Sequence, residues 1–203
     1  MTRCFMAGMA ALALVAGGAG ISAADPAVGE PAPEFSLADS NGTTRSLADA
    51  KGTFTVLEWS NPECPFVKKH YGSGNMQQLQ GDYTGKGVTW WTINSSAPGK
   101  QGHVSAEQAR ALRTERGDKS SAMLLDPGGA VGRLYGAKTT PHLFIINPGG
   151  ALIYKGAIDN TPSADPADIA SAANYVRMAL DAAMIGEDVA APETQPYGCS
   201  VKY

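Results

Sequence analysis

Short apolar runs alternate with amphipathic stretches along most of the chain, and this pattern predicts the elements before any chemistry is considered. Residues 54–59 and 88–94 (Val-Thr-Trp-Trp-Thr-Ile-Asn) are β-branched and aromatic and read as strands. Residues 122–125 read as a shorter strand. Residues 142–147 and 151–157 are two more, joined by Pro148-Gly149-Gly150, a hairpin turn signal. Helical patterns lie between and after them. The first runs from Pro65 to about Tyr83, with Gly72 and Gly74 expected to break or kink it. The second covers 105–116, with Ser105 as N-cap, Gln108 three residues on and Gly117 as the stop. A short helix over 130–135 closes at Gly136, and the longest helical pattern, 167–185, ends at Gly186. Two strand–helix units therefore lead into a closing hairpin and a last helix. That order predicts an α/β domain, a central sheet flanked by helices on both faces. The Pro-rich stretch 25–34 and the Pro/Asp-containing run 159–166 read as irregular.

The first 24 residues break the pattern. Arg3 supplies a short basic start, 6–20 is almost wholly Ala, Leu, Val, Met and Gly, and Ile21-Ser22-Ala23-Ala24 offers small residues for cleavage. The apolar run is short of the roughly 20 residues a membrane span needs. Cys4 precedes the apolar core, the wrong place for a lipoprotein anchor. The expectation is a cleavable signal peptide over 1–24, with no stable membrane insertion after its removal. A single domain then covers 25–203 and carries a Cys-containing C-terminal tail. A signal peptide implies a periplasmic or secreted protein, in a compartment where disulfides persist.

Charge narrows the partners. The chain carries 16 Lys and Arg against 19 Asp and Glu, a formal charge of −3 that becomes −4 once Arg3 is lost. With no basic block, nucleic acid and anionic membrane surfaces are poor partners.

The most informative residue is Cys64, in Asn61-Pro62-Glu63-Cys64-Pro65-Phe66-Val67-Lys68. It follows an apolar strand and stands where a helix would open, with Pro65 in the first turn. A thiol there meets unpaired backbone N–H groups and the positive end of the helix dipole, and both favour the thiolate. A buried, inert cysteine fits the same local sequence. Beyond Cys4 there is one other cysteine, Cys199, so the domain holds two cysteines in a compartment where disulfides can persist.

The order strand, Cys-Pro, helix, strand, helix, strand, Thr140-Pro141, hairpin, helix resembles a thioredoxin-like fold, a central mixed β-sheet flanked by helices. Thr140-Pro141 stands where that fold keeps a cis-proline beside its active cysteine. The 61–68 string, Thr92-Ile93-Asn94-Ser95-Ser96, Leu124-Leu125-Asp126, residues 134–142, residues 154–159 and the tail 197–203 resemble the peroxiredoxin-like and TlpA-like redoxins, the AhpC/TSA-like redoxin domain. The departures are equally specific. Thioredoxins place a second cysteine three residues from the first; here Asn61 and Val67 occupy those positions, so no Cys-x-x-Cys dithiol exists. Cys64 stands at the second, usually more buried, cysteine position. Peroxiredoxins use a hydroxyl residue and a proline before their cysteine, where this chain has Asn61 and Leu57, and no arginine can be assigned to the site from sequence.

The resemblance implies thiol–disulfide chemistry with protein or small-molecule thiols and disulfides and with no cofactor. Cys64 would attack, Cys199 would resolve from a mobile tail, and Thr140 and Pro141 would present backbone groups to an extended substrate. Asn61, Pro65 and His142 would tune the thiol, His142 as an imidazolium or as a soft-metal partner of the sulfur. A thiol peroxidase and a non-enzymatic copper-handling or partner-binding module remain alternatives. The sequence fixes no metal site. A permanent Cys64–Cys199 staple would also fit, contributing about 4–5 kcal/mol on the chain-entropy model. His70, beside Lys68 and Lys69, is expected to be solvated, and His103 to lie in a flexible loop. Trp59, Trp90 and Trp91 read as core residues.

Overall fold

The structure is a computed structural model that describes Met1 and residues 25–203; the expected signal segment, with Cys4, lies outside the described residues. At the centre is β3 (Thr55–Trp59), every residue of which is buried. It pairs in parallel with β4 (Thr89–Asn94) and antiparallel with β7 (His142–Ile146). Strands covered on both faces carry near-continuous apolar sequence, which is why these runs are legible without strict alternation. β5 (Ala122–Leu125) extends the sheet beyond β4, and β8 (Leu152–Gly156) completes the hairpin with β7.

Two further strands, β1 (Ser36–Asp39) and β2 (Thr44–Ser46), were not expected from the pattern. They form a hairpin docked on β5 and give a seven-stranded mixed sheet in the order β2–β1–β5–β4–β3–β7–β8. Successive residues of the central strands face opposite sides. Leu57, Trp59, Trp91, Ile93 and Phe144 pack on one face, and Val56, Trp90, Leu143 and Ile145 on the other.

The helices divide accordingly. α1 (Pro65–Gly72) and α2 (Asn75–Thr84) cover the second face, separated by Ser73 and by Gly74 at φ +79°, so the expected break is real. α3 (Ala106–Arg116) begins with the expected capping box of Ser105 and Gln108 and stops at left-handed Gly117. α4 (Ala130–Leu134) lies on the first face, where Val131 is buried. The long pattern over 167–185 is not one helix. A 3₁₀ turn, Pro166–Ala170, ends at Ser171, and α5 (Tyr175–Met184) starts afresh where the Asn174 side chain accepts the Arg177 N–H. Val176, Ala179 and Leu180, at helical spacing, bury α5 against the second face. Ten residues would be marginal as an isolated helix, so this packing holds it. Among the described residues, no helix is long and apolar enough to cross a membrane.

The tail is the largest departure from expectation. Instead of swinging free, it forms β9 (Cys199–Ser200), paired antiparallel with β6 (Thr139–Thr140) in a separate two-stranded sheet.

Candidate functional site

Cys64 is the N-cap of α1, in extended conformation at φ −69° and ψ 126°, with Pro65 at the first helical position. Proline there sacrifices no hydrogen bond, because that N–H has no intrahelical partner. The turn that delivers Cys64 is built by Asn61. Its carbonyl accepts the Cys64 N–H (3.1 Å), its Oδ1 accepts the Glu63 N–H (2.8 Å), and its Nδ2 donates to the Gln101 carbonyl (3.2 Å). Gly102 approaches so closely that a Cβ there would sit 1.9 Å from Asn61 Oδ1. Asn61 therefore positions the loop, and its described hydrogen bonds go to backbone groups instead of to the sulfur.

The second wall is the Thr140–Pro141 segment, whose peptide bond is cis as the resemblance implies. The Cys64 thiol donates to the Thr140 carbonyl at 3.0 Å. The edge expected to receive a substrate is taken by the chain itself, since Thr140 pairs with Cys199 and its hydroxyl donates to the Cys199 carbonyl (3.4 Å). Gly198 makes this possible. At φ +128°, with an ideal Cβ only 2.1 Å from the Thr140 oxygen, that position requires glycine.

Aromatic residues fix the tail on both sides of Cys199. Tyr197 donates its hydroxyl to Asp159 and packs edge-on against Phe66, ring centres 5.7 Å apart. Tyr203 donates to the Ala137 carbonyl (2.7 Å) and lies under the Arg133 guanidinium (4.5 Å). Backbone bonds from Val201 to Lys138 (3.1 Å) and from Ala97 to Lys202 (2.8 Å) complete the seat.

This geometry brings the two cysteines, both free thiols, together at Thr140, which pairs with Cys199 and accepts the Cys64 thiol, with Cys199 packed against the cluster that contains Cys64. Cys64 is fully buried and Cys199 half-buried. Their acidities separate. Burial opposes the Cys64 thiolate. The Cys199 thiol, the Val67 and Cys199 backbone N–H groups and the Thr140 side chain together outweigh it and hold the Cys64 pKa below that of an ordinary thiol. Cys199 is pushed up to about 11 by burial and by Cys64, with Lys202 acting weakly the other way. Arg116 donates to the Pro62 carbonyl (3.0 Å) and stacks on Tyr71.

Three expectations need correction. His142 is buried and its pKa falls to about 3, through burial and then through Lys138 and Lys155 against Asp25. It is neutral around pH 7, so the imidazolium role is lost; its Nδ1 accepts the Lys138 N–H at 3.3 Å. Among the described residues, no hydrogen bond joins His142 to either sulfur. His70 is fully buried on the inner side of α1, between Asn75 (2.8 Å), Tyr197 and Asp159, and burial pushes its pKa down to about 4. His103 is tied by Nδ1 to the Ser96 carbonyl (2.9 Å). The tryptophans are core residues, as expected. No cluster of three or more His, Cys, Asp or Glu placed to hold a metal occurs among the described residues.

Glu58 is among the buried ionisable residues that escaped sequence reasoning. Glu58 accepts hydrogen bonds from Trp90 Nε1 (2.9 Å), Tyr71 (2.8 Å) and Gln80 (3.1 Å), yet burial raises its pKa to about 7. An acid between Leu57 and Trp59 in an apolar strand was the available signal.

The sheet order, a cysteine opening α1 and the cis Thr140–Pro141 bond beside it define a thioredoxin-fold redoxin. The AhpC/TSA family profile matches residues 28–155, and the chain belongs to that family. Among solved structures it is similar to an uncharacterised conserved protein from Geobacillus kaustophilus, at 29% identity and TM-score 0.77, covering 87% of this chain and 92% of that one. A hypothetical protein from Sinorhizobium meliloti is similar at 26% identity and TM-score 0.74, covering 87% and 94%. A candidate thioredoxin from Neisseria meningitidis shares the fold at 23% identity and TM-score 0.57, covering 77% and 91%. Among curated proteins no match was found.

Proposed function

We propose that this protein is a thiol–disulfide redox protein of an oxidising compartment, periplasmic or extracellular, with Cys64 and Cys199 as its reversible pair. The placement of Cys64 and Cys199 on the same residue, Thr140, carries the reading. Oxidation removes one proton and one electron from each thiol and forms one S–S bond; reduction reverses both changes. The signal-like segment supports the compartment.

Equilibration of the purified protein against glutathione buffers tests the proposal. A single two-electron transition is expected, with a potential above the roughly −300 mV below which structural disulfides lie. A potential well below that, with the melting temperature collapsing on reduction, would leave a stapled binding domain.

A further inference from the structure

We propose that a partner's sulfur enters at Cys199 and that Cys64 is the internal leaving group, so that the protein acts as a disulfide donor to thiolates. This rests on the paired-thiol reading above and reverses the roles its sequence implies.

Access decides the first half. Attack on a disulfide runs along the S–S axis, from behind the sulfur under attack. The space around Cys64 is filled: the residue is fully buried, with the Thr140 carbonyl 3.0 Å from its sulfur and the start of α1 against it. Cys199 is the half-buried member, on a two-residue edge strand near the end of the described chain. Its neighbour Lys202, whose Nζ bonds Ser200 Oγ at 2.9 Å, places a cation where an incoming thiolate would gather.

Leaving-group chemistry decides the second half. The bond breaks more readily when the departing sulfur is the more stable thiolate. Cys64 is the N-cap of α1, where the first-turn N–H groups and the helix dipole favour an anion, and its pKa is held below that of an ordinary thiol. The step balances as follows. A partner thiolate attacks Cys199 Sγ, forming a mixed disulfide and releasing Cys64 as thiolate. A second partner thiolate then attacks the partner sulfur of that mixed disulfide, forming the partner's own disulfide and expelling Cys199, which takes up a proton. The partner loses two electrons and the protein gains them. The substrate class is thus a dithiol, and an external disulfide, itself reduced to two thiols, restores the pair.

The test uses oxidised full-length protein pulsed with glutathione, quenched in acid and mapped by mass spectrometry. The adduct is expected on Cys199 with Cys64 free. In parallel, Lys202→Glu should slow the wild-type pulse several-fold. An adduct on Cys64 would overturn the assignment while leaving the redox pair intact. Failure of the oxidised protein to hold a Cys64–Cys199 bond would overturn both.

Discussion

Cys64 and Glu58 are both fully buried and both face uncharged hydrogen-bond donors, yet their proton affinities move in opposite directions. Glu58 has the indole of Trp90, the hydroxyl of Tyr71 and the amide of Gln80, and burial still prevails, helped by repulsion from Asp118. Cys64 has fewer side-chain donors but two backbone N–H groups, one of them in the first turn of α1. Backbone donors at a helix terminus are fixed by the fold and aligned with the helix dipole, so they need no ordering when charge appears. The contrast teaches that the origin of the donors and the absence of a nearby like charge, more than their number, decide whether a buried acid ionises here.

Removing the tail's contribution should break the contrast most severely. Cys199→Ala is expected to abolish disulfide cycling and to move the Cys64 titration upward, read as thiolate ultraviolet absorbance against pH. An unchanged midpoint would mean that the helix terminus and Thr140 alone hold the anion.

Glu58→Gln tests the other side. A folded pKa of about 7 against an ordinary 4.5 means that the folded state holds this proton more tightly than the unfolded state. The associated stability is fully present below pH 4.5 and is lost as pH rises through 7, by about 3 kcal/mol in total. His70 and His142 act in the opposite sense, their contribution being present above pH 6.5 and lost as pH falls toward about 4 and 3. The difference between variant and wild type isolates Glu58. In urea unfolding it should shrink by about 3 kcal/mol between pH 4.5 and 7, and a difference constant with pH would contradict the assignment.

The smallest effect belongs to Thr140→Val, which removes one hydroxyl and keeps the backbone carbonyl. It should raise the Cys64 pKa less than Cys199→Ala does and change stability by about 1 kcal/mol or less. A larger shift than that of Cys199→Ala would make Thr140 the principal stabiliser.

Much of this architecture was legible in the chain because it rests on local signals. Strands β3 and β4 announce themselves by apolar run, α3 by its capping box, and the candidate cysteine by strand, turn and Cys-Pro. The features that were not legible depend on distant partners. His70 sits beside two lysines in sequence, but Asp159 and Tyr197 meet it from remote segments and enclose it. β6 and β9 are two residues each, too short to carry a pattern, and their pairing depends on a glycine that lets two backbones touch. The tail's fixity was written in Tyr197 and Tyr203, yet the seats they occupy, at Asp159 and beside Arg133, become visible only in three dimensions.

Cys64 and Cys199 lie far apart in sequence, and this would make the proposed bond between them a mutual constraint. In a thermodynamic cycle of folding and oxidation, the free energy by which the fold favours the bond equals that by which the bond favours the fold. With that bond, the redox poise of the surroundings would be converted into lifetime: a reducing medium would shorten the protein's resistance to unfolding and proteolysis, and an oxidising one would extend it.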